Sequence, residues 1–203
     1  MDRGGILLSE FDGSEVLHES RLASSLELTS YSYRSSMSAV RDQGRSSMCS
    51  CYSIAYVVEY FHRACGAKHP VFDMDYLYSH RASGVGMSFK DAISVMRDVG
   101  YRLSGHLFSI HDGVLITSRA LLCDFLVSGG PVLMALPVYD SWGGSRFWSG
   151  DHLLGYHGVA CVGFNPDGVE FINSWGVDWG DRGYGFISWG DFGKVVELWG
   201  LLF

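Results

Sequence analysis

Apolar residues recur at helical spacing in the first two thirds of the chain and in short strand-like runs in the last third. Ile54, Val57, Val58 and Phe61 follow Cys49 at intervals of three and four, the signature of one helical face, so a helix starts at or near Cys49. Pro70 precedes a short helix over 73–81. Ser88 with Asp91 has the form of a capped start, Phe89, Ala92, Ile93 and Met96 share a face, and Gly100 suits the stop. Ser118 opens a further helix with Leu121, Leu122, Phe125 and Leu126 inward, ended by Gly129, Gly130 and Pro131. After Pro131 the runs 132–138, 158–164, 169–172, 184–188 and 195–199 read as strands, with Asn165-Pro166-Asp167-Gly168 as a hairpin-type turn. These strands follow one another without helices between them, which predicts an antiparallel sheet. Residues 9–38 are serine-rich with weak alternation around Val16, Leu22, Leu26 and Leu28, and read as an extended lead-in across the surface.

Composition narrows the function classes. A chain of 203 residues, 47% hydrophobic, can bury the core of one enzyme-sized unit or of two lobes sharing a cleft. The net charge of -7 and the absence of a Lys/Arg run oppose a nucleic-acid partner. Five cysteines without a Cys-x-x-Cys pair argue against a disulfide framework and for a reducing compartment. Ile6-Leu7-Leu8 is too short for the apolar part of a signal peptide or for a membrane span, so a soluble protein is expected, with no membrane association. Cys49-x-Cys51 and the pair His152 and His157 have neither zinc-finger nor His-Glu-x-x-His spacing, so no metal is expected, and no cofactor.

The candidate chemistry lies in Gln43, Cys49, His157 and Asn173, met in that order. A thiol nucleophile needs a base, a group that holds the base's ring in the right tautomer, and a donor for the oxyanion formed on attack; these residue types supply those roles. A helix start and a neighbouring imidazolium both lower a thiol's pKa, which predicts a Cys49 thiolate near neutral pH. Cys51 points to another helical face, and His152, five residues before His157, is the rival base.

Around these residues the chain resembles the papain-like cysteine peptidases, most closely their compact bacterial and phage-like members. The resemblance rests on Gln43-Gly44, on Cys49 opening a helix, on His157-Gly158-Val159 before a strand, and on Asn173-Ser174-Trp175-Gly176-Val177-Asp178-Trp179-Gly180-Asp181-Arg182-Gly183-Tyr184. It implies an α+β, two-lobed fold: a helical lobe carrying the nucleophile helix, an antiparallel β-barrel-like lobe, and the active site in the cleft between. A lead-in over 1–38, shorter than the inhibitory pro-segment of secreted relatives, would precede a peptidase domain over 39–203, with lobes over about 39–110 and 111–203. The resemblance makes Cys49 the nucleophile, His157 the base and Asn173 its orienting group, with Trp175 shielding their hydrogen bond and the Gln43 amide joining the Cys49 backbone N–H as oxyanion donors. Met87, Ala135 and Tyr156 would line the pocket for the substrate side chain preceding the cleaved residue, giving an apolar preference, and the loop 139–148 would roof one end of the cleft.

The chain departs from the pattern at Ser47, Met48 and Ser50. Ser47 stands where a glycine commonly lets the substrate backbone approach, and Ser46 replaces a cysteine that is disulfide-bonded in secreted relatives. Two readings follow from the resemblance: a peptidase hydrolysing peptide or protein substrates through a thiolate acyl-enzyme, or a weak or inactive papain-like protein serving as a structural or binding component of a larger assembly, such as a virion. Acyl transfer to an amine would use the same thiol chemistry. The expected setting is the cytoplasm or a virion.

Overall fold

A computed structural model describes residues 5–13, 16–17, 30–82, 84–140, 142 and 152–203. Its helices are α1 (Cys49–Ala64), α2 (Met74–Ser79), α3 (Phe89–Asp98) and α4 (Arg119–Ser128). Side chains accept hydrogen bonds from first-turn amides at three of the four starts: Asp73 from Tyr76, Ser88 from Asp91 and Ser118 from Leu121. Each satisfies one donor that a helix start leaves unpaired. At α1 the capping position is Met48, which offers no acceptor, so that first turn keeps its amides for other partners.

The strands are β1 (Val16–Leu17), β2 (Tyr31–Ser32), β3 (Tyr101–Leu103), β4 (His106–Phe108), β5 (Asp112–Leu115), β6 (Val132–Tyr139), β7 (Leu153–Asn165), β8 (Gly168–Ile172), β9 (Tyr184–Ser188) and β10 (Glu197–Leu202). The main sheet runs β1-β5-β10-β6-β7-β8-β9, with β2 also pairing β7; β3 and β4 form a separate hairpin. Its pairs are antiparallel except β1 with β5. Strand β6 is buried along almost its whole length, which is why its sequence is a continuous apolar run rather than an alternating one. Helix α1 packs on β6 and β7 with Ile54, Ala55, Tyr56 and Val58 wholly buried. Burying one such large side chain contributes about 1.5–3 kcal/mol.

Several expectations shift. The strand expected from residue 158 begins at Leu153, and the last strand starts at Glu197 rather than 195. Strands β3, β4 and β5 carry too few residues for a period to show, and β4 is exposed throughout. The lead-in does more than cross the surface: Tyr31 and Ser32 pair with Phe164 and Gly163, and the buried Tyr33 donates its hydroxyl to the Leu126 carbonyl at 2.6 Å. Among the described residues, no helix is long and apolar enough to cross a membrane.

Candidate active site

The thiol sits where the helical layer meets the sheet. A side chain on Gly158 would come within 3.3 Å of the Ser50 amide nitrogen, so glycine there lets the first turn of α1 rest directly on β7. Cys49 is thereby set against the residue that follows His157, with the Gly158 backbone amide facing its sulfur.

His157 lies inside β7, opposite Leu136 of β6, and is fully buried. Its Nε2 is 2.7 Å from Asn173 Oδ1, which also accepts from the Ser174 amide at 2.7 Å. A backbone N–H can only donate, so the Asn173 atom is its oxygen and Nε2 is the donor. The neutral ring then presents Nδ1 as an acceptor, and Nδ1 has no hydrogen-bond partner among the described residues. The Trp175 indole lies over the imidazole, centroids 4.5 Å apart, and Trp142 and Trp179 pack edge-on behind it. The shield dries the His157–Asn173 bond and so strengthens it.

Gln43 joins the two halves of the site. Its backbone N–H donates to the Ser174 carbonyl at 2.8 Å, its Oε1 accepts from the Ser174 hydroxyl at 2.5 Å, and its Nε2 donates to the Ser46 carbonyl at 2.8 Å. One N–H of that amide remains for another acceptor. Tyr56 is a positioning residue that the sequence reading missed. From the buried face of α1 its hydroxyl accepts from the Arg41 amide at 2.7 Å and donates to the Asn173 carbonyl at 3.2 Å. A buried tyrosine at helical spacing reads simply as core, and only its long-range partners give it this role. Arg41 is held in turn by Glu59, a buried residue of α1 itself, at 2.7 Å.

The chain's own Gly5 lies over the thiol, at the head of a strap formed by residues 5–12. The Gly5 and Ile6 amides donate to the Tyr156 carbonyl at 3.1 and 3.4 Å, and the Gly5 amide also faces the Cys49 sulfur. A side chain on Gly5 would come within 2.8 Å of Ser47 Cα and Cβ, and one on Gly86 would collide with the Gly5 carbonyl, so this strap passes between walls that admit only glycine. Ile6 is buried against Gly158. Farther along, the Ser9 N–H and hydroxyl donate to the two oxygens of Glu197 at 2.6 and 2.7 Å, the Lys90 amide donates to the Ser9 hydroxyl oxygen at 3.2 Å, and Lys90 Nζ reaches the Glu10 carbonyl at 3.0 Å. Phe11 stacks on Trp199.

Closure reverses the expected ionisation. Burial pushes the Cys49 thiol up to about 11, against the opposing pull of the backbone amides of Gly158, Ser50, Cys49 and Gly5. Burial likewise holds His157 down to about 4, although its bond to Asn173 works the other way. In this closed form the pair is therefore a neutral thiol and a neutral imidazole. Desolvation thus works against the thiolate expected from the helix start and an imidazolium. Cys51 is buried too, and its thiol is pushed up to about 12.

The other expected site residues fall along the same walls. Met87 is buried next to Gly86, Ala135 is buried and pairs with Gly158 and with Glu197, and Tyr156 supplies the carbonyl that holds the strap. His152 is exposed. Most of the expected roof loop, 141 and 143–148, lies outside the described residues; Trp142 belongs to the tryptophan cluster over His157.

No family model matches the chain. Over 89 residues it is 33% identical to a cathepsin B-like protein, CP1, of Giardia intestinalis, a match that covers 38% of this chain and 29% of that relative's length. Among solved structures it is similar to xylellain, a cysteine protease from Xylella fastidiosa, with a TM-score of 0.86 at 15% identity, covering 98% of this chain and 95% of that one. It is also similar to proCathepsin B S9 from Trypanosoma congolense, with a TM-score of 0.84 at 16% identity over 98% and 86% of the two chains. The third is procathepsin L2 proteinase from the Tenebrio molitor larval midgut, with a TM-score of 0.83 at 18% identity over 98% and 78%. A helical layer, an antiparallel sheet and these likenesses agree: the chain has the fold of the papain-like cysteine proteases.

Proposed function

We propose that the protein is a cysteine peptidase that cleaves amide bonds in peptide or protein substrates, and that residues 5–12 hold it closed at rest. The observation that carries this reading is the 2.7 Å bond between His157 Nε2 and Asn173 Oδ1, which leaves an unpartnered Nδ1 in the sheet wall beside the helix start that bears Cys49. With the strap displaced, His157 Nδ1 takes the Cys49 proton and the sulfur attacks the substrate carbonyl carbon. The oxyanion accepts from the Cys49 backbone N–H and the remaining Gln43 Nε2 N–H. Collapse breaks the C–N bond as the imidazolium gives its proton to the leaving amine, and water, deprotonated by His157, then hydrolyses the thioester. Met87, Ala135 and Tyr156 serve as walls for the side chain preceding the cleaved bond.

The same closure supports a second reading, a silent component of a larger assembly that keeps the fold without turnover. A peptide carrying a thiol-reactive electrophile separates the two. Gly5→Leu cannot fit against Ser47 and should expel the strap, so this variant should take the label at Cys49 and cleave a peptide library, whereas Gly5→Leu combined with Cys49→Ala should do neither. A Gly5→Leu protein that is folded and reacts with iodoacetamide, yet neither takes the peptide label nor cleaves, would establish the silent reading.

A further inference from the structure

Where the strap crosses the start of β10, its Phe11 lines one side of a cavity of about 540 Å³. That volume falls in the range of small-ligand sites. Its walls are mostly apolar, with Phe11 of the strap facing Leu115, Phe192 and Leu198, and Phe11 itself is half exposed. Two charged groups line it, Arg119 and Glu197. Both Glu197 oxygens already accept from Ser9, and Oε2 accepts from Trp199 Nε1 as well, so this carboxylate serves the strap. Arg119 stands over the Trp189 ring at 3.8 Å and gives the cavity its cationic side. A guanidinium stays charged at any working pH and pairs with carboxylate in a planar fork.

We propose that this cavity is an effector site for a small monocarboxylate with an apolar body, and that its occupation tightens the strap over Cys49. The inference rests on the strap reading above. Phe11 forms a wall of the cavity only while the strap lies down, so a ligand that touches Phe11 binds the closed form better than the open one and shifts the population toward closure. The coupling is reciprocal: expelling the strap weakens the ligand by the same factor.

The test uses the full chain with 3-phenylpropanoate and its uncharged counterpart, 3-phenylpropanol. Binding is followed by ligand-observed NMR, and the rate of Cys49 labelling by iodoacetamide is followed in the same samples. Saturating 3-phenylpropanoate should slow labelling at least threefold, and 3-phenylpropanol should bind at least fivefold more weakly. Arg119→Ala should weaken the acid alone, while Phe11→Ala should weaken both probes and abolish the slowing. Absence of binding, binding unaltered by both substitutions, or binding that leaves the labelling rate unchanged or raises it would overturn the proposal. Gly5→Leu separates the two levels: if it fails to raise the labelling rate, the strap reading itself has failed, whereas fast labelling in Gly5→Leu with no effect of the acid on wild type sinks the effector site alone.

Discussion

His157, whose neighbour Gly158 faces the Cys49 sulfur, and Gly5, which faces it directly, are held in place by very different means. His157 belongs to a strand paired on both sides, its Asn173 partner is fixed by the Ser174 amide and the Tyr56 hydroxyl, and Trp175 closes over the ring. Gly5 belongs to a segment outside any helix or strand, whose first two amides share one carbonyl and whose later anchors run through Ser9, Lys90 and a half-exposed Phe11. His157 is thus built into the paired sheet. The cover depends on a few contacts and belongs to the class of structure that opens locally without global unfolding. On the proposed function, the geometry at His157 and access to the thiol are therefore separable.

The most severe way to break the comparison is to remove the built-in side. His157→Ala in the Gly5→Leu background should lower kcat/KM by roughly 10³-fold, within the span for a lost general base, with the circular dichroism spectrum unchanged. Asn173→Ala should cost less, about 2 kcal/mol or roughly thirtyfold, since it removes one hydrogen bond to a ring that becomes charged during the reaction. Retention of full turnover in either variant would remove the residue from the mechanism.

Disturbing the cover should have smaller effects of opposite sign. Gly5→Leu should speed Cys49 alkylation about tenfold, equivalent to about 1.4 kcal/mol of closure lost. Glu197→Gln leaves the shape but points an amide at donors on Ser9, and should speed alkylation roughly fivefold, or about 1 kcal/mol. Alkylation rates that do not respond to either substitution would mean that the strap does not limit access.

The remaining effect is on the pH dependence of stability, and its sign follows from burial. His157 is held down to about 4 from an ordinary 6.5. Between those values the unfolded chain binds a proton that the closed form refuses, so this contribution to stability is complete above about pH 6.5 and is lost as pH falls toward 4. Melting temperatures should decline over that window more steeply for wild type than for His157→Gln, and parallel curves would contradict the buried, neutral imidazole.

Much of the candidate site is legible in the chain because its chemistry dictates residue types and its local geometry is written nearby. Cys49 opens its helix as read, and Ser88 and Ser118 cap theirs, since a cap depends on an amide only three residues away. The shared turn through Asn173, Ser174 and Trp175 likewise keeps a base's partner and its shield in one short motif. The β3–β4 hairpin left no trace because strands of three residues, one of them exposed throughout, are too short for a period to be detected.

By itself the sequence pointed to the candidate set Gln43, Cys49, His157 and Asn173, and it determined the helices, most of the strands and the antiparallel character of the sheet's second half. Tertiary structure alone decided that Gly5 lies on the thiol, that Ser9 finds Glu197 across 188 residues of chain, and that Tyr56 ties α1 to Asn173. It also decided the burial that works against ionisation: the sequence pointed to a thiolate, and desolvation in the fold pushes the Cys49 thiol the other way. The physical reason is common to all of these. Helix starts, caps and turns are fixed by neighbours in sequence, whereas desolvation and steric fit are sums over whatever the folded chain brings close, and residues 5–12 carry no periodic pattern to announce where they will lie.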